Sequence, residues 1–363
     1  MRTFKSTGCR VKAKAVAYVL NILCEKKTHK KDSAGLTDTT FKVYARDFFD
    51  YNNCPRVKRL RAEGKDLTQR YCKEARRDLT NFVFKTRFAN LKMKNIRRSD
   101  VLDLRSELMG LTTPGRVNDI IRTVGTVFSE AVYREDVLYN PISKISKLKE
   151  SHSEVQTYTD EDYRKMFDPR DPEKMIRIWG SYADFVFEFI ECNTGMRNGE
   201  VRCLQWGNVD FENDVIYVVQ AFKDQESNII GPPKNGKRRV AGMCEELKCV
   251  LQYYKEHYAY HTNDEDFVCS IKNGRPFAYT RNRRHHRSGL ENAGVEHRGH
   301  HIYRHTFNTN LLSANDVKDS DIRLSTGWSD ERIQQNYSHN ELSAAKNVTK
   351  AQNSYWDRQR QTA

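Results

Sequence analysis

Four short stretches of this 363-residue chain hold the residue types that phosphoryl transfer needs: cations to neutralise a phosphate, proton carriers and a hydroxyl nucleophile. In Thr194-Gly195-Met196-Arg197-Asn198-Gly199-Glu200, Gly195 permits a turn between an apolar helix and the next one. That sets Arg197 at a helix start with Glu200 one turn along to brace it, a spacing that in isolation reads as a structural ion pair ahead of a catalytic one. Lys234 precedes Asn235-Gly236, a dipeptide suited to a tight hairpin, and is expected at the hairpin tip. Lys237 across the turn competes for the same role, and lysines in such turns are often only solvated charges. In His300-His301-Ile302-Tyr303-Arg304, His301 and Arg304 are three apart and share a helix face, which sets a proton carrier beside a fixed cation. In Ser325 to His339, Ser329 can cap a short helix carrying Tyr337 near its end. The chain has 18 tyrosines, so only its position after Arg304 and Trp328 selects Tyr337.

These stretches need a scaffold, and apolar spacing supplies one. Residues 36–150 carry helical periodicity: Thr113 can cap and Pro114 open a helix with apolar positions Val117, Ile120, Ile121, Val124, Val127, Phe128, Ala131 and Val132. Asn140-Pro141 ends this bundle. Lys144 to Thr157 reads as a polar connector with little to bury, which puts a domain boundary near residue 150. Beyond it, Thr159-Asp160-Glu161-Asp162 places acids at a helix start, and a strongly apolar helix is predicted from about Met175 to Cys192. Val215 to Val219 is strand-like, and Pro232 to Val240 is predicted to form a hairpin. The predicted fold class is mainly α with a small antiparallel β-sheet (α+β). It has three parts: a basic extension at 1–35, a helical domain at 36–150, and a second domain at 151–363 with a C-terminal tail. The tail aromatics Tyr355 and Trp356 read either as a docking surface or as internal packing.

Composition narrows the partners. A mean hydropathy of -0.81 describes a highly charged surface and gives no support for a membrane span. The apolar run Ala15 to Leu23 follows Lys12 and Lys14 like a signal peptide, but Asn21 interrupts it and no small-residue cleavage site follows. Nine scattered cysteines without a Cys-x-x-Cys pair fit a reducing cytoplasm with neither disulfides nor structural zinc. His257 and His261 are spaced to share a helix face, but no third ligand is near, and no metal is expected. Residues 1–150 carry 33 Lys and Arg against 17 Asp and Glu, a net of +16, which leaves -2 for the rest of a chain totalling +14. A single-sign field of that size points to a polyanion, nucleic acid ahead of anionic membrane. Lys237, Arg238 and Arg239 beside the hairpin, and Arg281, Arg283 and Arg284 in the basic run 281–287, are the expected phosphate contacts, with a solvated loop the alternative for the latter run.

In order and spacing, Arg197, Lys234, His301, Arg304, Trp328 and Tyr337 resemble the catalytic signature of tyrosine recombinases, the family of phage integrases and bacterial chromosome-dimer resolvases. The resemblance covers about residues 155–340, and the helical 36–150 region looks like the family's core-binding domain. Trp328 stands where many members have His, and Tyr303 where Leu is common. The resemblance implies that Tyr337 attacks a DNA phosphate held by Arg197 and Arg304. His301 would then serve as base, Lys234 would protonate the departing 5' oxygen and Trp328 would hydrogen-bond at the site. It implies cleavage and rejoining of duplex DNA through a 3' phosphotyrosine, with no metal, ATP or other cofactor. Four protomers would pair two sites, inverted-repeat in form, and exchange strands through a Holliday junction, with room for an accessory DNA-bending or directionality factor. The setting would be the cytoplasm and nucleoid of a bacterium, on a phage or mobile element. A type IB topoisomerase and a noncatalytic DNA-binding regulator are the competing expectations.

Overall fold

The computed structural model describes residues 36–65, 67–150, 156–223, 229–313, 317–327 and 340–361. The chain divides into two compact units at His152/Ser153.

In the first unit, α1 (Phe41–Ala45), α2 (Pro55–Ala62), α3 (Gln69–Asp78), α4 (Arg98–Met109) and α5 (Pro114–Tyr133) share one core. α5 starts at the Thr113/Pro114 boundary, where proline's missing N–H has no helical partner to lose. Its stripe of Val117, Ile120, Val124, Val127 and Phe128 is fully buried, while Val132 is half-buried. Phe41 stacks on Phe128 with ring centroids 5.8 Å apart. The expected connector is shorter than the sequence suggests. Leu148 donates its N–H to Asn118 Oδ1 at 2.9 Å and accepts from Asn118 Nδ2 at 3.0 Å, and Ile142, Ile145 and Leu148 pack against the core. Three apolar residues scattered among lysines make no periodic signal, yet one side-chain amide on α5 satisfies the backbone that lies along it.

The second unit opens with α6 (Asp160–Met166), whose Thr159 hydroxyl accepts from Asp162 N–H at 3.1 Å while the Asp162 carboxylate accepts from Thr159 N–H at 2.9 Å. The predicted helix from Met175 to Cys192 is in fact two, α7 (Pro172–Trp179) and α8 (Tyr182–Thr194). Gly180 at φ +86 ends the first, and Ser181 caps the second by accepting from Asp184 N–H at 3.1 Å. Both helices enter one core, so the apolar pattern runs across the break and conceals it.

After the short α9 (Asn198–Val201), β1 (Val209–Asp210), β2 (Val215–Val218) and β5 (Arg239–Gly242) form an antiparallel sheet in the order β1-β2-β5. β3 (Ala221–Phe222) pairs separately with β4 (Ile230–Gly231). The predicted Pro232–Val240 hairpin is therefore corrected. Its two sides pair with other strands, and Lys234–Gly236 is a single 3-10 turn in which Gly236 takes φ +71.

The helices α10 (Glu245–His257), α11 (Tyr279–Ala293), α12 (His301–Ser313), α13 (Asp319–Thr326) and α14 (Asn340–Gln361) complete the unit. His257 is the last residue of α10, so His261 lies beyond the helix and the expected shared face does not form. α14 presses on the sheet at Gly242, where a Cβ would meet Ala345 O and Thr349 Oγ1 at 2.6 Å. The tail aromatics are used internally: Trp356 is buried beside Phe189 and donates Nε1–H to Asn193 Oδ1 at 2.8 Å, and Tyr355 donates to Asp160 at 3.1 Å.

Candidate active site

Two arginines distant in sequence are brought together by the end of α8. Gly195 at φ +61 closes that helix, and a side chain there would press to within 2.9 Å of the Phe307 ring on α12. The Gly195 carbonyl accepts from Arg304 Nη1 at 2.8 Å, a cation meeting the negative end of a helix. Two residues on, Arg197 caps α9. The Glu200 carboxylate accepts its backbone N–H at 2.8 Å and its Nη1 at 3.1 Å. Arg304 is only 5% exposed, and its Nη2 has no hydrogen-bond partner among the described residues. Burial, and then the like charges of Arg197 and Arg239, push its guanidinium down to about 9, with Glu200 opposing. Among the described residues, no acid forms an ion pair with this cation.

His301 is the first residue of α12, three before Arg304 and accessible to solvent, with its ring 4.6 Å from that of His305. Loss of hydration, then His305, Arg304, Arg197 and Lys234, lower its pKa below the ordinary histidine value. At neutral pH it is uncharged and has a lone pair to accept a proton. Lys234 is exposed on its 3-10 turn, close enough for its charge to act on His301. Trp328 and Tyr337, with the helix start expected at Ser329, lie outside the described residues.

The remaining expected phosphate contacts divide. Lys237 and Arg238 are exposed, as are Arg283 and Arg284. Arg239 is corrected: it is 5% exposed and donates Nη1–H and Nη2–H to the two oxygens of Glu200 at 2.9 and 2.6 Å, and Nε–H to the Ser325 carbonyl at 3.0 Å. Strand register would have warned of this, because Arg239 shares a face with the fully buried Ala241. Arg281 is also corrected. It forks onto both oxygens of the buried Asp184 and lies over the Phe277 ring at 3.8 Å, within a helix and not a loop.

Sequence reasoning missed a buried network behind the site. His286 Nδ1 faces Glu188 at 2.8 Å, His300 Nδ1 faces Glu191 at 2.6 Å, and the two imidazoles stack at 4.0 Å. Glu188, His286 and His300 bring potential metal-donor atoms within 4.8 Å of one another. The Nδ1 atom of each imidazole already lies at hydrogen-bond distance from a carboxylate, while His300 Nε2 and Glu191 Oε1 are buried without a partner among the described residues. Despite burial, Glu191 and Glu188 hold His300 up at about 9. The available signal was three acids inside the otherwise apolar α8, each of which must find a partner.

Residues 181–343 match the phage integrase family. The ICEBs1 integrase of Bacillus subtilis is 26% identical over 175 residues, covering 47% of this chain and 45% of that protein. The chain spans about half the length of the curated relatives it matches. Among solved structures, the Tn1549 transposon integrase in complex with a circular intermediate DNA shares the fold. Its TM-score is 0.60 at 16% identity, over 89% of this chain and 100% of that one. A lambda integrase tetramer bound to a Holliday junction gives 0.58 at 12% identity, over 91% of each chain. Residues 181–343 thus carry a phage integrase family match, and the fold around them is the one these integrases share.

Proposed function

We propose that this protein is a site-specific DNA recombinase that cuts and rejoins duplex DNA through a covalent bond to Tyr337. The observation that carries the reading is Arg304, a buried guanidinium beside Arg197 with one donor nitrogen unmet among the described residues. A bound phosphate supplies the missing acceptor and the missing charge. Arg197 and Arg304 each offer a planar fork to the phosphoryl oxygens and stabilise the extra negative charge of the pentacoordinate transition state.

Tyrosine is a weak nucleophile at neutral pH, since its phenol ordinarily ionises near 10. His301, held neutral, takes the phenolic proton as Tyr337 Oη attacks phosphorus. The 3' phosphotyrosine bond forms as the bond to the 5' oxygen breaks, and Lys234 gives that oxygen a proton. Trp328 donates its indole N–H at the site. The phosphodiester energy is kept in the adduct, so attack by a second 5' hydroxyl reverses the step without ATP. The two guanidiniums supply the positive charge, and the proposed reaction needs no metal.

The proposed substrate is a duplex with an inverted-repeat site. Lys237, Arg238, Arg283, Arg284 and the basic 36–150 unit contact its phosphates. A homotetramer on paired sites, aided where needed by a DNA-bending or directionality factor, acts in the cytoplasm on nucleoid or mobile-element DNA. The basic 1–35 segment extends the DNA contact.

The test is Tyr337→Phe on a nicked duplex that traps the adduct. The variant is expected to bind DNA as the wild type does and form no covalent complex; an undiminished adduct moves the nucleophile elsewhere. Joining of two plasmid-borne sites by the wild type separates recombination from mere relaxation of supercoils.

A further inference from the structure

Arg239 makes three contacts that join three segments of the second unit. Its Nη1 and Nη2 take both oxygens of Glu200 on α9, its Nε takes the carbonyl of Ser325 at the end of α13, and its own backbone is in β5, paired with Val218. Glu200 in turn receives the backbone and side chain of Arg197, whose Nη2 comes within 3.5 Å of the Gly327 carbonyl. Gly327 sits at φ +66, and a Cβ there would lie 3.0 Å from Arg239 Cδ, so the chain leaving α13 passes directly over this side chain. Gly327 immediately precedes Trp328 and stands ten residues before Tyr337. Glu200 is drawn down to about 2 against the effect of its burial, first by Arg239 and then by Arg197, so it stays ionised and keeps both grips.

We propose that Arg239 is a positioning residue: by gripping Glu200 and Ser325 together, it holds the Arg197 guanidinium and the chain that leads to the nucleophile in one fixed relation. The proposal rests on the recombinase reading for its catalytic consequence, while the clamp itself does not. Only an arginine fits, because the fork meets a carboxylate with two parallel hydrogen bonds and still has Nε–H for a carbonyl. A lysine keeps the charge but is a point donor that cannot make all three contacts in this geometry.

The test compares the full-length wild type with Arg239→Lys and Arg239→Gln in two measurements. In hydrogen exchange, segments 197–204 and 322–327 are expected to exchange at least ~10-fold faster in both variants, with the rest of the second unit nearly unchanged. In single-turnover cleavage, each protein acts on a nicked duplex with an ordinary scissile phosphate, and on the same duplex with a methylphosphonate there. Misplacing Arg197 by about an ångström predicts a loss of about 100-fold for Arg239→Lys on the phosphate, at unchanged DNA affinity. The loss shrinks to a few-fold on the methylphosphonate, which carries no charge for Arg197 to meet. Equal losses on both substrates, or faster exchange spread evenly over the unit, would overturn the positioning role and leave Arg239 as a general prop of the fold. If the wild type forms no adduct, the recombinase reading fails by itself, and the exchange pattern alone decides the clamp.

Discussion

Replacing Glu200 by Gln removes one negative charge and almost no volume, so its effect isolates the electrostatics of the site. Among the described residues Glu200 is the carboxylate that ion-pairs with both Arg197 and Arg239, and it is 1% exposed. Breaking a buried pair from one side costs about 3–5 kcal/mol, because the remaining charge stays buried. A second route agrees. Arg239 and Arg197 hold the carboxyl from 4.5 down to about 2 in spite of its burial, which by linkage corresponds to about 3 kcal/mol at neutral pH. The pH dependence has a definite sign. A depressed carboxylate contributes its stability above the unfolded value, near 4.5, and loses it as pH falls through about 2. The four tryptophans, Trp179, Trp206, Trp328 and Trp356, all belong to the second unit, so urea unfolding followed by tryptophan fluorescence reports on that unit alone. Glu200→Gln should lower its stability by about 3 kcal/mol at pH 7, and the difference from wild type should narrow as pH drops below 4.5. A loss under about 1 kcal/mol, or a gap that does not narrow in acid, would refute the view that Glu200 is the charge holding these arginines.

Arg304→Gln should separate stability from activity: adduct formation falls by about 10²–10³-fold, while the urea midpoint stays level or rises, since a guanidinium pushed down to about 9 is a charge the fold bears at a cost. A clear drop in the midpoint would mean that the fold itself pairs this cation. The His300 network has the opposite pH signature. Glu191 and Glu188 hold its imidazole at about 9 despite burial, so its contribution is complete below the ordinary 6.5 and disappears as pH rises through about 9. The urea midpoint of the wild type should fall between pH 7 and 10 by more than that of His300→Gln, and parallel curves would show that His300 carries no charge in the fold.

Periodicity and the Thr113-Pro114 pair made α5 legible to the residue at its start, and the acids of 160–162 did the same for α6, because both signals are local. The break at Gly180 was illegible for a physical reason: two helices that are apolar on the same side of one core have no polar interval between them. The Asn-Gly pair identified a turn but not its pairing, since which strands meet is decided by β2 and β3, far from the dipeptide. Within the site, the order of Arg197, Lys234, His301 and Arg304 was readable, and so was Glu200 as a brace. What could not be read was which basic residues are already spent. Arg238 and Arg239 are adjacent and of one type, yet one is exposed and the other is buried against Glu200; only the pleat distinguishes them.

That distinction bears on how the second unit meets phosphate at all. The chain's positive charge resides in residues 1–150, whereas the remainder sums to -2, so a general field does not draw an anion to the site. Several arginines of the second unit are committed to acids of the same unit: Arg239 to Glu200, Arg281 to Asp184, Arg298 to Asp162 and Glu296, Arg287 to Glu291. In a unit this rich in carboxylates, a buried arginine with no acid of its own among the described residues runs against the rule that buried charges are paired. The fold could have satisfied Arg304 with a single Asp or Glu at the same helix end; it uses the Gly195 carbonyl, which fixes the guanidinium in place without cancelling its charge. Positioned but not neutralised is the condition that an anion from outside requires. On the proposed reading, the site's preference for phosphate follows from one local deficit of negative charge among the described residues.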